Sequence, residues 1–295
     1  MTIVSRLRES LPESWKSKLK EMTARHPTLT LIITLLYGLS LRTGREPYIT
    51  GKRVPKIFVV PDICALDCAL DIFVREVYER FYRLREGDVV IDVGAHVGMF
   101  TVKAARSVGE KGKVVAIEPV EENLRLLRKN VELHKLDNVV IIGKACGRER
   151  GRAKLVKSKL SGTHQLRAVS KEPEFPVSEV EVEVTTIDDV CRDLGLLRID
   201  FLKIDVEGAE LEVLRGAEKG LKVTRNIAME LHYEGEGEEV KDYLKKRGGT
   251  RLRSLGACFM LQGVEVTTSC SSPVRRRLLD FRRSSHFSSN CLDVS

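Results

Sequence analysis

Four short stretches of this chain carry side chains able to do acid–base or ligand chemistry, and each closes an apolar run. They are Asp92-Val93-Gly94-Ala95-His96-Val97-Gly98, Glu118-Pro119, Asp205-Val206-Glu207-Gly208 and Glu230-Leu231-His232. The branched runs before them, such as Val89 to Ile91 and Phe201 to Ile204, have the character of strands buried on both faces of a parallel sheet. Open α/β sheets bind ligands beyond the carboxyl ends of their strands, so Asp205 and Glu207 are expected at that edge. Strand alternation sends Glu230 and His232 to one side of the same edge. Paired carboxylates there can orient a hydroxyl, remove its proton or hold a divalent cation, and an imidazole that titrates near neutrality can act as general base. Blander roles stay open: Glu207 as a helix cap, His232 as a plain hydrogen-bonding residue, and Glu210 as part of the next helix. The residue spacing itself indicates no metal.

The glycine stretch reads as strand, tight turn and helix start. Gly94 allows the turn and Gly98 allows close packing of the first helical turn, which leaves free N–H groups facing a ligand. A dinucleotide fingerprint needs a second glycine where this chain has His96. Asp92 stands where a carboxylate would meet a cation. Both features favour a ligand with a positively charged amino acid end over a pyrophosphate, and S-adenosylmethionine fits that description.

Asp92 to Gly98 resembles motif I of the Rossmann-like S-adenosylmethionine-dependent methyltransferases, and the longer context resembles their FkbM family. Thr185-Thr186-Ile187-Asp188-Asp189 and Asp200 to Glu210 are similar to that family's most distinctive pair of blocks, and the similarity runs from about Phe73 to about His232. The resemblance implies that the loop of Asp92, Gly94, Ala95 and Gly98 wraps the methionine part of the donor. It implies that Glu118 holds the ribose hydroxyls. The exit of the third strand at Gly143-Lys144-Ala145-Cys146 lies where related enzymes surround the adenine; an acid is common there, so Ala145 would act through its backbone. Asp205 adjoins the donor, and Asp205, Glu207 and His232 face the acceptor. The segment Phe73 to Tyr78 with Tyr82 resembles the one preceding motif I, where Glu76 and Tyr82 could reach the cofactor, or Tyr82 packs and Glu76 faces solvent.

The elements that must position these residues follow in order. A chain of 295 residues, 42% hydrophobic and 31% charged, holds one sizeable core with extensions and is too charged for an integral membrane protein. Residues 1–60 carry eleven Lys and Arg against four Asp and Glu, and residues 274–295 five against two, which leaves −2 of the total +8 on the rest. A nucleic-acid groove would place the excess on the core instead, so no nucleic-acid partner is expected. The seven cysteines, among them Cys64, Cys68, Cys146 and Cys191, are odd in number and scattered, which suits a reducing, cytoplasmic setting.

Val4, Leu7, Leu11, Trp15 and Leu19 mark an amphipathic helix, and Leu29 to Leu41 is an apolar run shorter than the ~20 residues that span a bilayer. These pieces would cover the core, pair with a second copy or make peripheral membrane contact. Leu66 to Leu84 reads as helical. The stretch 147–184 departs from alternation, with strands at Gly151 to Val156 and Val180 to Thr185. Cations at Lys154, Lys157, Lys159 and Arg167 suit either an acidic substrate or a solvated face. A helix is expected at Glu238 to Lys246, a hairpin at Arg251 to Leu255 and Cys258 to Leu261, and a disordered Ser/Arg-rich tail beyond.

The expected architecture is α/β: a Rossmann-like, seven-stranded, mostly parallel sheet with helices on both faces and an N-terminal helical extension. Residues 1–60 form the basic extension and linker, 61–266 the catalytic domain and 267–295 the tail. The resemblance implies O-methylation of a small molecule, sugar or lipid-linked glycan. A nicotinamide or nucleotide-sugar enzyme, or a catalytically silent membrane-associated binding protein, stays open beside it.

Overall fold

The computed structural model describes residues 47–51, 54–60, 65, 68–80, 82–158, 161–166, 176–232 and 236–246, and the backbone of 252–255 and 258–262. The amphipathic helix and apolar run before residue 47, the Ser/Arg-rich tail, and with them the readings of membrane contact and dimer formation, lie outside the described residues.

In chain order the strands are β1 (Tyr48–Ile49), β2 (Ile57–Phe58), β3 (Val89–Val93), β4 (Lys113–Ile117), β5 (Val139–Ile142), β6 (Ala145–Cys146), β7 (Gly151–Ser158), β8 (Gln165–Leu166), β9 (Pro176–Thr185), β10 (Phe201–Ile204), β11 (Asn226–Glu230), β12 (Leu252–Leu255) and β13 (Cys258–Gln262). The α-helices are α1 (Met99–Val108), α2 (Glu121–Leu133), α3 (Ile187–Asp193), α4 (Glu210–Arg215) and α5 (Glu236–Lys245).

Strands β11, β10, β3, β4 and β5 lie side by side and parallel, and antiparallel β13 and β12 extend the sheet beyond β11. Neighbouring residues of each inner strand serve opposite faces. Val90, Val114 and Phe201 join a core built with Met99, Phe100 and Val102 of α1, whereas Ile91, Val115 and Leu202 join one built with Ile187, Val213 and Val240 of α3, α4 and α5. Both faces are apolar because both are covered by helices. Full burial of each such side chain contributes about 1.5–3 kcal/mol.

Three features differ from the sequence reading. The packed unit reaches upstream of residue 61, because Ile49, Ile57 and Val59 are part of the α1 core and Asn130 of α2 clasps Phe58 by both its N–H (2.7 Å) and its C=O (2.9 Å). The helix expected from Leu66 to Leu84 is interrupted: a π-type segment, Leu70–Arg75, and a 3-10 turn, Val77–Glu79, meet at Glu76, whose φ is 50°. The Lys103 ammonium holds that break, bonding the Ile72 carbonyl at 2.7 Å and pairing with Glu76 and Glu79.

The third difference concerns charge. Residues 145–185 build a second sheet in the order β6-β9-β7-β8, and its cations are already answered by acids. Lys154 pairs with Glu179, Arg152 with Glu181, Lys144 with Glu183, and Lys157 with Glu122. Lys154 is neutralised by an acid on the returning strand and Lys157 by Glu122 of α2; Lys159 and Arg167 lie outside the described residues. No helix among the described residues is long and apolar enough to cross a membrane.

Candidate active site

The glycine loop leaves β3 and is pressed onto the end of β10. Gly94 has φ +75°, and a Cβ placed on it would fall 1.8 Å from the Asp205 carbonyl oxygen. Gly98 has φ +86°, and its Cβ would fall 2.4 Å from Leu127 Cδ1 of α2. Both positions therefore need glycine for conformation and for space. Between them the Gly94 and Ala95 amides donate to the Ile117 carbonyl at 3.0 Å each, which ties the loop to the end of β4.

Glu118, one residue past β4, is the anchor of this half of the site. It accepts the His96 amide at 2.9 Å, the Val120 amide at 3.0 Å and the Asn123 Nδ2 at 3.2 Å. Burial outweighs these donors and pushes its carboxyl up to about 6. His96 meets Ser161 Oγ through Nε2 at 2.9 Å, and Asn123 reaches the Ser161 carbonyl at 3.3 Å, so Ser161, three residues past β7, lies against the same corner. Burial, then the nearby Lys203 charge, depress the His96 imidazole to about 4 and keep it neutral.

Asp92 is fully buried, and its cation is not a ligand. Lys203 of β10 places its ammonium 3.1 Å from Asp92 Oδ1 and 2.9 Å from the Gly94 carbonyl, while Thr101 Oγ1 donates to Asp92 Oδ2 at 2.6 Å. The expectation that Asp92 meets the donor's charge is corrected accordingly: β3 and β10 pair Asp92 directly with Lys203, and the carboxylate is used up beneath the loop. Burial favours the neutral amine, but Asp92 and Asp205 together outweigh it and hold Lys203 above the ordinary lysine range.

Beyond β10 and β11 a second cluster assembles. His232 Nε2 lies 3.5 Å from Asp205 Oδ1 and 3.6 Å from Glu207 Oε1, so the three residues expected to face the acceptor do converge. On the other side of the ring, Nδ1 lies 2.9 Å from Glu210 Oε1. That carboxylate also accepts the Val206 and Gly208 amides at 3.2 Å each, at the start of α4. Burial alone would raise Glu210, but His232, the Glu236 carboxyl and its own backbone amide hold it low. Burial and the adjoining Glu210 carboxylate push Glu236 up to about 8, so it keeps its proton and hydrogen-bonds to Glu210. An ionised Glu210 at Nδ1 fixes that nitrogen as the N–H, which leaves Nε2 as the one directed at Asp205 and Glu207.

Tyr78 completes the edge. Its buried ring packs edge-on against Phe100 with centroids 5.5 Å apart, and its hydroxyl reaches Asp205 Oδ2 at 3.0 Å and Glu230 Oε2 at 3.3 Å. Ala145, expected beside the adenine, opens β6 and is buried with Val120, Leu155 and Val182. Tyr82 packs on Phe201 and donates to Asp88 at 2.8 Å, and Glu76 is exposed.

Residues 92–250 match the family described as the Methyltransferase FkbM domain, more than half of the chain. This chain belongs to the FkbM methyltransferase family. It is 31% identical over 225 residues to the 31-O-demethyl-FK506 methyltransferase FkbM of Streptomyces tacrolimicus, a match covering 66% of this chain and 85% of that one. It is 30% identical over 191 residues to methyltransferase sdnD of Sordaria araneosa, covering 54% and 72%. It is 27% identical over 198 residues to methyltransferase 1 of Beauveria bassiana, covering 60% and 78%. Among solved structures, a methyltransferase FkbM from Methylobacillus flagellatus is similar at 21% identity and a TM-score of 0.43, over 58% of this chain and 40% of that chain. As an FkbM-family protein the chain is an S-adenosylmethionine-dependent methyltransferase with a Rossmann-like α/β fold around five parallel strands.

The candidate site contains four residues to which the sequence assigns no part in it. Lys203 was legible in principle, since a lysine inside the apolar run Phe201 to Ile204 must find a buried anion. Glu210 and Glu236 both open helices in sequence and gave no sign of their common partner, the ring of His232. Tyr78 shares a segment with Tyr82, and only the break at Glu76 decides which phenol turns to the site.

Proposed function

We propose that this methyltransferase acts on a hydroxyl of a small molecule, sugar or lipid-linked glycan. The observation that carries the reading is the His232–Glu210 pair directed at Asp205 and Glu207, immediately beyond the strand that touches the glycine loop.

The donor fits the first half of the site on two grounds. The loop from Gly94 to Gly98 brings backbone, not side chains, to the strand ends, and Glu118 offers a carboxylate with little solvent competition for the ribose hydroxyls. Gly94, Ala95 and Gly98 hold the methionine part, Ala145 lies on the adenine side through its backbone, and Asp205 adjoins the sulfonium. When bound, the donor supplies a methyl group already activated for transfer. The protein's share is alignment and one proton. Asp205 and Glu207 orient the acceptor hydroxyl, His232 takes its proton on Nε2, and Glu210 stabilises the resulting imidazolium through Nδ1. Tyr78 holds Asp205 in place by its hydroxyl.

Incubation with donor carrying a ¹³C-labelled methyl group, in the presence of hydroxylated sugars, lipids and small alcohols, tests this. The label is expected in an ether, read by the chemical shift of its carbon. His232→Ala is expected to lower turnover by about 10²–10⁴-fold while donor binding is kept. Label found on nitrogen or carbon, or His232→Ala at wild-type turnover, contradicts the proposal.

A further inference from the structure

We infer that Asp205, Glu207 and His232 form a binding site for a divalent cation, with one carboxylate oxygen from each acid and His232 Nε2 as its three protein ligands. The binding claim stands on geometry alone; only the cation's role rests on the reading of this edge as the acceptor's side.

One ligand atom from each of the three residues lies within 4.8 Å of the others, and Nε2 is 3.5 and 3.6 Å from the two oxygens. Ligands on one face of an octahedral shell, with metal–ligand bonds of ~2.1 Å, stand about 3 Å apart. The two separations from Nε2, 3.5 and 3.6 Å, are within about 0.6 Å of that spacing. Behind the imidazole stands the arrangement typical of metal-bound histidine, in which the second ring nitrogen donates to a carboxylate that is itself held. Glu210 is that carboxylate, fixed by the Val206 and Gly208 amides. This support lies outside the three ligands and turns Nε2 toward them.

Charge points the same way. Asp205, Glu207 and Glu230 converge here, the last linked to Asp205 through the Tyr78 hydroxyl. Lys203 is the neighbouring cation among the described residues, and Asp92 and the Gly94 carbonyl hold it closer than Asp205 does, at 3.1 and 2.9 Å against 3.6 Å. Two carboxylates and one imidazole suit an ion that accepts both oxygen and nitrogen, such as Mn²⁺, more than the all-oxygen preference of Mg²⁺. Three ligands on one face leave the opposite face for water and the acceptor oxygen. The role of His232 as base belongs to the cation-free site; a bound cation would take the Nε2 lone pair in its place and would itself acidify the bound hydroxyl, whose proton would pass to water.

Mn²⁺ is titrated into the metal-stripped full chain and followed by loss of the free-ion electron paramagnetic resonance signal. S-adenosylhomocysteine is titrated into the same preparation by calorimetry. One Mn²⁺ per chain is expected, weakened at least about tenfold in Glu207→Gln and His232→Gln and about 10–100-fold in Glu210→Gln, and unchanged in Glu76→Gln on the exposed surface. Retained binding of S-adenosylhomocysteine shows that each variant is folded. Mn²⁺ that does not bind a chain still binding S-adenosylhomocysteine overturns the inference and leaves the methyl-transfer reading intact. Mn²⁺ that binds equally to Glu207→Gln and His232→Gln also overturns it. Mn²⁺ bound at the trio of a folded chain that ignores S-adenosylhomocysteine sustains the cation site and removes its role in methyl transfer.

Discussion

Replacing Lys203 by Met is expected to cost about 3–5 kcal/mol of stability, the range for breaking a buried ion pair from one side. The ammonium is almost fully buried and lies between the fully buried Asp92 and the partly buried Asp205, with the Gly94 carbonyl as its third partner. Methionine fills the same volume but leaves Asp92 as an uncompensated charge on an inner strand. Among the described residues, Thr101 is then the remaining side-chain donor to the Asp92 carboxylate. The burden therefore falls on the remaining carboxylate rather than on lost packing, and this distinguishes two variants. Lys203→Met combined with Asp92→Asn is expected to recover a large part of the loss, because the stranded charge is gone. Urea unfolding of the wild type, the single and the double variant measures both. A single-variant loss below about 1 kcal/mol, in the range of an exposed pair, would contradict the role given to this lysine.

Gly94→Ala is expected to be the most damaging change to donor binding. The methyl would sit 1.8 Å from the Asp205 carbonyl oxygen, a backbone atom that cannot turn aside, at a φ of +75° that alanine rarely adopts. Relief requires the loop to lift from β10. That breaks the Asp205 amide bond to the Val93 carbonyl, 3.1 Å long, which joins the donor loop to the acceptor-side cluster. Affinity for S-adenosylhomocysteine is expected to fall more than about 100-fold, equivalent to about 2.7 kcal/mol, and the melting temperature is expected to drop as well. Gly109→Ala is the control. It too has a positive φ, +64°, but among the described residues only the flexible Glu86 side chain lies near its Cβ, at 3.5 Å. It is expected to cost stability without affecting the ligand.

The contrast between the two glycines shows what was legible beforehand. The strands at Val89, Val114 and Phe201 announce themselves by unbroken apolar runs, and the topology of parallel sheets brings their ends together. Asp205, Glu207 and His232 could thus be placed at one edge from spacing. Their partners could not. That Asp92 faces Lys203, rather than a ligand, depends on the register between β3 and β10, which pairs those two residues across the sheet. That Glu210 and Glu236 stack behind His232 depends on how α4 and α5 start, and neither helix start encodes the other's position. Sequence left the cations of the 145–185 insertion open between a binding face and a solvated one, because their acids stand far off in the chain: Glu179 and Glu181 in the returning strand and Glu122 in α2.

Titration calorimetry of S-adenosylhomocysteine into the wild type and Glu118→Ala, between pH 5 and 8, tests most directly the claim that the glycine loop and Glu118 form the donor site. The Glu118 carboxyl sits at about 6 in the ligand-free protein against an ordinary 4.5, so the stability its protonated form contributes is complete below 4.5 and is lost as pH rises through 6. Ribose hydroxyls donate to the ionised form, so binding expels the proton below pH 6 and is uncoupled from it above. One site per chain is expected, with affinity rising through pH 6 to a plateau in the wild type. Glu118→Ala is expected to bind at least about tenfold more weakly, a loss of about 1.4 kcal/mol, with no inflection near pH 6. Equal affinities in the two proteins, or a wild-type affinity indifferent to pH across this range, would contradict the placement of the donor.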